Sequence, residues 1–303
     1  MTCLLRLGTR GSPLALWQAN MVATALRAAH GWTDDAVEIV PIRTTGDKVQ
    51  DRALAEIGGK ALWTKELDRA LMDRDIDAAV HSMKDVETIR PPEIVIAAMP
   101  PRADTRDRLI GYNSLASLPP GARVGTSSPR RAAQVRRARP DAQILLFRGN
   151  VDTRLRKLAE GEADATLLAA AGLDRLGRGD IGVPLDQLLP APAQGAVGIE
   201  ARAGDDTILA LLRAIDHAPT SRCVLAERAF LAALGADCRS PVAALAQIEG
   251  NEILLRAEIL TEDGHASEAD EARFALDDPS GPAALARRLL DRAAPPLRGL
   301  FAA

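Results

Sequence analysis

Ile76-Asp77-Ala78-Ala79-Val80-His81-Ser82-Met83-Lys84-Asp85 turns from apolar to polar at its midpoint. The run Ile76 to Val80 is too short for a helix and shows no strict alternation, so it reads as a strand buried on both faces. Its carboxyl end delivers His81, Ser82, Lys84 and Asp85, and in open α/β sheets ligands bind at that end of the strands. Just before it, the apolar spacing from Leu62 to Met72 predicts a helix. Further upstream, Leu4 to Leu7 and Val37 to Ile42 read as strands. Between them a helix is predicted over Pro13 to Ala29, with Ser12 as N-cap and Pro13 in the first turn. Short apolar runs that alternate with helical ones define α/β units around a mostly parallel sheet.

After Pro91-Pro92 and Pro100-Pro101 a second series begins. One strand ends at Val124-Gly125, a helix follows from Pro129 to Arg139, and Ile144 to Phe147 is a strand. Val151 to Ala159 is a helix, and Ala163 to Leu168 a further strand. Both series end strands on polar, glycine-bearing loops, which implies two α/β lobes facing each other across a cleft. The proline- and glycine-rich stretch Leu188 to Gly198 reads as a crossing back between lobes. Helical runs from Thr207 to Ile215 and Ser221 to Leu234 lead into a segment of different character. There Val242 to Ile248, Ile253 to Leu260 and Arg273 to Leu276 suggest a three-stranded antiparallel sheet with turns at Asn251 and Gly264, and a helix runs from Pro282 to Ala293. The expected domains are therefore 1–99 with 200–217, then 100–199, then a small α+β domain over 218–303. A chain of 303 residues is longer than one core usually holds. No internal repeat is visible.

Arginine recurs beside glycine, serine or threonine in turn-like segments: Gly8-Thr9-Arg10-Gly11-Ser12, Gly125-Thr126-Ser127-Ser128-Pro129-Arg130-Arg131, Arg148-Gly149-Asn150 and Thr153-Arg154. A guanidinium fork matches carboxylate or phosphate, and glycine lets backbone N–H groups crowd the same anion. The ligand should carry several negative charges. Arg43, Lys48, Lys60, Lys65 and Lys84 add cations, yet the formal net charge is −3, so a basic cleft in a mildly acidic body is expected. That balance, with 3% aromatic residues, argues against nucleic acid as a partner. No G-x-x-x-x-G-K-[ST] or G-x-G-x-x-G motif is present, which disfavours nucleotide cofactors. His30, His217 and His265 lack ligand spacing, so no metal is expected.

Cys3, Cys223 and Cys238 form no C-x-x-C pair, and an odd, widely spaced set suggests neither a disulfide framework nor zinc. A reducing, cytoplasmic location is expected, with no apolar run near the ~18 residues needed to span a bilayer and no secretory leader pattern. Cys238 stands in the loop Gly235-Ala236-Asp237-Cys238-Arg239-Ser240-Pro241, where Arg239 favours a thiolate and Asp237 opposes it; a small buried packing residue is the alternative. Cys223 lies in an apolar helical stripe and reads as core, and Cys3 as strand packing. Asp85 can hold a developing cation or move a proton, or else serve as a surface ion pair or helix cap. Gly46 to Lys60 has the polar, glycine-flanked form of an active-site lid or of a long surface loop.

Taken together these segments resemble the hydroxymethylbilane synthase family, also called porphobilinogen deaminases. The carrying residues are RLGTRGSPLALWQA (6–19), TTGDKVQDRALAEIGGKALWTKEL (44–67), DAAVHSMKDV (77–86), VGTSSPRRAAQ (124–134), RGNVDTRL (148–155), LAAAGLDRLG (168–177), PAPAQGAVGIE (190–200) and CRSP (238–241). They occur in family order over nearly the whole chain. The resemblance implies two facing α/β lobes of type II periplasmic-binding-protein-like architecture plus the small C-terminal α+β domain. It implies an enzyme, a transferase, that condenses four porphobilinogen molecules head to tail with loss of ammonia and then releases the linear tetrapyrrole by hydrolysis. The implied cofactor is dipyrromethane, joined through a thioether to Cys238. Matching positions make Asp85 catalytic and give the cofactor side chains Lys84, Ser82, Thr126, Ser127, Ser128, Arg130, Arg131 and Arg148. Arg10, Ser12, Lys60, Arg154, Arg175 and Gln194 fall to substrate and elongating chain. Cofactor and product together carry about a dozen carboxylates, a demand that bidentate arginine suits. The family precedent is a monomer. Asp237, Ala193, Trp63 and Glu87 depart from the family's usual small residue, glycine, phenylalanine and proline. A non-catalytic two-lobe binding protein for a polycarboxylate is the rival reading.

Overall fold

A computed structural model of the chain describes residues 4–43 and 64–301. They form two compact units, one of residues up to 43 with 64–103 and 195–221, the other of 104–194 and 222–301.

The first unit is built on a five-stranded sheet of β1 (Leu5–Arg10), β2 (Val37–Ile42), β3 (Ala78–Ser82), β4 (Ile94–Ala98) and β10 (Val197–Arg202), in the order β2-β1-β3-β10-β4. β1 pairs in parallel with β2 and β3, whereas β10 runs antiparallel to β3 and β4. Helix α1 (Pro13–His30) starts where the Ser12 hydroxyl accepts the Ala15 N–H at 3.3 Å, and it stops at Gly31, whose φ of 66° suits glycine. Its apolar stripe of Ala19, Val22, Ala23 and Leu26 packs on Leu5, Leu7, Val80 and Ile199. Helix α2 (Lys65–Met72) contributes Leu67 and Leu71 to a second core with Ile76.

Several boundaries differ from the sequence expectation. β1 does not stop at Leu7 but runs through Gly8, Thr9 and Arg10, which read as a turn, because each of them pairs with β2. β3 spans Ala78–Ser82 rather than Ile76 to Val80. The ladder to β1 starts at Ala78, two residues later, with Asp77 held to Arg6 by its own N–H donating to the Arg6 carbonyl at 2.9 Å and its carboxylate accepting the Arg6 N–H at 2.8 Å, and pairing of Ser82 with Val197 carries the strand onward. The part of the crossing segment from Val197 on is a sheet strand.

The second unit repeats the plan. Strands β5 (Asp107–Ile110), β6 (Arg123–Thr126), β7 (Gln143–Leu146), β8 (Ala165–Ala169) and β9 (Val183–Leu185) take the order β7-β6-β8-β5-β9. β6 is parallel to β7 and β8, and β5 is antiparallel to β8 and β9. Helices α3 (Pro129–Ala138), α4 (Val151–Ala159) and α5 (Ala170–Arg175) connect them.

The same unit holds an antiparallel sheet of β11 (Val242–Glu249), β12 (Glu252–Leu260) and β13 (Ser267–Ala275). Helix α6 (Asp206–Arg213) belongs to the first unit; α7 (Ala218–Ala233), α8 (Gly281–Arg292) and the short α9 (Pro295–Arg298) follow. Phe230, Leu255, Ile259, Leu285 and Leu289 form the core under the antiparallel sheet. β13 is longer than the Arg273 to Leu276 reading because it is a solvated edge whose charged side chains hide the strand pattern. This sheet abuts α3: Gln134 Nε2 donates to Glu258 at 2.9 Å, and Gly264 leaves no room for a Cβ, which would lie 2.6 Å from the Ala133 carbonyl oxygen.

Candidate functional site

In the first unit β1 and β3 are parallel neighbours and end at the same edge. β1 releases Arg10, followed by Gly11 and the helix cap Ser12, while β3 releases Ser82 and a tight turn over Met83–Asp85. Arg10, Ser12, Gln18, His81, Ser82 and Asp85 line one pocket. The turn is held by Met83, whose N–H donates to the Ala196 carbonyl at 3.0 Å and whose side chain is fully buried. Gly198 makes that burial possible, since a Cβ there would lie 1.9 Å from the Met83 sulfur. Gln18 Nε2 donates to the Ser82 hydroxyl at 2.8 Å and fixes the pocket wall.

Under the pocket is a buried charge network that the sequence reading missed. His81 Nε2 lies 3.2 Å from Glu200, and the Arg90 fork donates to both Glu200 oxygens at 2.8 Å. Arg90 also bonds Asp68 and Glu87. Burial alone would raise the Glu200 pKa, but His81 and Arg90 hold it down to about 2. Burial raises Glu87 above the usual carboxylate range against the pull of Arg90. The available signal was a pair of charged residues, Glu200 and Arg202, in an otherwise apolar run.

In the second unit β6 and β7 are parallel neighbours that also end together. β6 ends on Thr126, whose hydroxyl accepts the Ser128 N–H at 3.2 Å, and the loop after it carries Ser127 and Ser128, of which Ser128 caps α3. After β7 come Arg148 and Gly149, with Asn150 capping α4 through the Thr153 N–H at 2.8 Å. Arg154 joins the two loops, donating to the Gly149 carbonyl at 3.0 Å and the Ser127 hydroxyl at 3.2 Å. Arg148 is buried. Arg175 closes α5, where burial pushes its pKa down and Asp174 opposes the shift.

Arg130 and Arg131, expected at cofactor carboxylates, lie almost wholly inside the unit. Arg130 Nη2 donates to Asp107 Oδ2 at 2.8 Å and Nη1 to Gln134 and the Leu189 carbonyl. Arg131 Nη2 donates to Asp107 Oδ1 at 2.6 Å and Nη1 to the Leu167 carbonyl. Gln194 meets the same carboxylate at 2.8 Å and the Thr105 carbonyl at 2.7 Å. Asp107 is thus a shared hub; burial raises its pKa, but the two arginines hold it far below the carboxylate range. No motif marked it.

Cys238 is exposed in the loop between α7 and β11, and Cys223 is buried in the C-terminal core. The flanking Asp237 accepts the Arg239 backbone N–H at 2.8 Å and pairs with its guanidinium at 2.6 Å. Lys60, Lys48, Trp63, Cys3 and the expected lid from Gly46 to Lys60 lie outside the described residues. Among the described residues no helix is long and apolar enough to cross a membrane.

Fold and donor set together define an α/β protein of two five-stranded sheets and one three-stranded antiparallel sheet, with loops in each unit that carry guanidinium and hydroxyl groups suited to an acidic ligand. The family model described as the porphobilinogen deaminase, dipyromethane cofactor binding domain matches residues 5–210, and that of the porphobilinogen deaminase C-terminal domain matches residues 221–292. A porphobilinogen deaminase of Sphingopyxis alaskensis is 60% identical over 98% of this chain and 96% of its own. Among solved structures, an arginine-specific periplasmic binding protein of Salmonella typhimurium is 14% identical with a TM-score of 0.41, over 71% of this chain and 92% of its own. A putative methionine-binding lipoprotein of Bacillus subtilis is 14% identical with a TM-score of 0.42, over 70% and 89%. Likenesses this slight carry no weight here. The chain belongs to the porphobilinogen deaminase family. It is an enzyme, a transferase with hydroxymethylbilane synthase activity, and its cofactor is dipyrromethane, as its motifs implied.

The donor chemistry fits that cofactor, a bipyrrole with acidic side chains. The Nε atoms of Arg130 and Arg131 are buried without hydrogen-bond partners, so donor capacity remains, and Cys238 is exposed and in no disulfide.

Proposed function

We propose that Asp85 is the catalytic group and that Cys238 holds the dipyrromethane primer through a thioether. The observation that carries this reading is the shared pocket of Arg10, Ser12, Ser82 and Asp85. When bound, the primer supplies the free pyrrole carbon onto which porphobilinogen units are added. Lys84, Ser82, Thr126, Ser127, Ser128, Arg130, Arg131 and Arg148 hold the primer's side chains. Arg10, Ser12, Lys60, Arg154, Arg175 and Gln194 hold the carboxylates of substrate and growing chain. Substrate carboxylates on Arg10 and Ser12 bring the pyrrole N–H beside Asp85. Its carboxylate stabilises the positive charge that grows on that nitrogen as ammonia leaves, and it takes and returns protons at the ring. Four additions precede hydrolytic release.

The same reading makes the chain a cytoplasmic monomer that engages neither nucleic acid nor membrane, supported by its negative net charge and sparse aromatics. Its domains are 1–99 with 200–217, 100–199 and 218–303; one sheet falls in each, save that β10 of the first sheet begins at Val197. Intact mass of the purified protein tests the primer: a value above the bare 32.2 kDa chain by one dipyrromethane, lost in Cys238→Ser, is expected. Active enzyme at bare mass would defeat it. Porphobilinogen consumption with ammonia release separates the enzyme from a mere binder.

A further inference from the structure

We infer that Asp107 is a positioning residue that presets Arg130, Arg131 and Gln194 as one donor group for a single carboxylate of the tethered primer. This deepens the function proposed above and rests on it. Asp107 is fully buried and Arg130 and Arg131 are 2% and 5% exposed. One carboxylate between two guanidiniums leaves one surplus positive charge, and a buried charge is costly until it is matched. Glu258, the next acid, already accepts from Gln134 and pairs with Arg137. The surplus therefore calls for an anion from outside the group. The Nε atom of each arginine is buried with no hydrogen-bond partner, and a charge-assisted bond to a carboxylate would satisfy such a donor. Without Asp107 the two arginines, adjacent in the first turn of α3, would repel each other and splay. Gln194 extends the arrangement to the crossing segment, since its amide bonds Asp107 and Thr105 together.

The test uses the full chain with Asp107→Asn, which keeps shape and removes charge, and Asp107→Glu, which keeps charge and shifts it by one methylene. Leu285→Ala, which opens a cavity in the C-terminal core, is the control for lost stability alone. Apo-protein of each is mixed with porphobilinogen, and primer loading is followed by intact mass below the melting temperature. Loading at least tenfold slower in whichever Asp107 variant folds, with Leu285→Ala near wild type, is expected. Equal loading in the Asp107 variants, or an equal fall in Leu285→Ala, overturns the positioning role. A wild type that never gains mass defeats the primer reading instead.

Discussion

Ala193 holds φ at 62°, in the left-handed region where a methyl group crowds the following carbonyl. It stays there because its N–H donates to the buried Glu227 carboxylate at 2.6 Å. Glu227 also accepts the Ala246 N–H at 2.8 Å, so the strain is set against two bonds that tie the crossing segment to the C-terminal sheet. Glycine relieves the strain at some cost in chain entropy, and Ala193→Gly should stabilise the protein by about 1 kcal/mol. An upward shift of the denaturant midpoint would show it; a downward one would mean that the methyl group packs favourably. At Asp85 the expectation is kinetic. Asp85→Asn keeps the turn on Met83 and removes the charge, so turnover should fall roughly 10²-fold or more with the fold unchanged. Near-normal porphobilinogen consumption would exclude the assigned role.

At the scale of elements, both loop clusters depend on strands that end side by side. Gly125, the last residue but one of β6, lies directly against the Phe147 ring, where a Cβ would be 2.4 Å from the ring carbons. Gly125→Ala should therefore push the ring or the Thr126 to Ser128 loop aside, at a cost of about 1–3 kcal/mol. Primer occupancy by mass should fall with the melting temperature; unchanged values for both would show that the ring yields freely. Such strands were legible in the sequence because each carries its own local signature, an apolar run closed by a glycine-bearing polar loop. β5 and β10 were not. They run against their neighbours and contain Asp107, Glu200 and Arg202, which read as surface residues until partners far away in sequence arrive: Arg130 for Asp107, and His81 and Arg90 for Glu200. The site divides the same way. Arg10, Ser12, Ser82 and Asp85 could be found because their neighbours in sequence are also neighbours in the pocket, whereas the hub at Asp107 exists only after folding.

For the whole molecule, the two five-stranded sheets share one strand order, with the reversed strand in the fourth place of each, although the sequence shows no repeat. In the first unit that place is filled by β10, which arrives from the far end of the crossing segment and brings Glu200 between β3 and β4. Closure of this unit thereby depends on a buried carboxylate remaining ionised between His81 and Arg90. Its folded pKa of about 2 lies below the ordinary 4.5, so the unfolded chain binds the proton more readily. The stabilisation is fully present above the unfolded pKa and is lost as pH falls through the window from 4.5 to 2. By linkage it amounts to something on the order of 3 kcal/mol. Stability measured by denaturant across that window should drop steeply in the wild type. Glu200→Gln should start lower at neutral pH, because Arg90 and His81 lose a charged partner, and should show a shallower slope. An equally steep slope in the variant would place the acid sensitivity elsewhere, with Asp107 in the second unit as the next group to test by the same substitution.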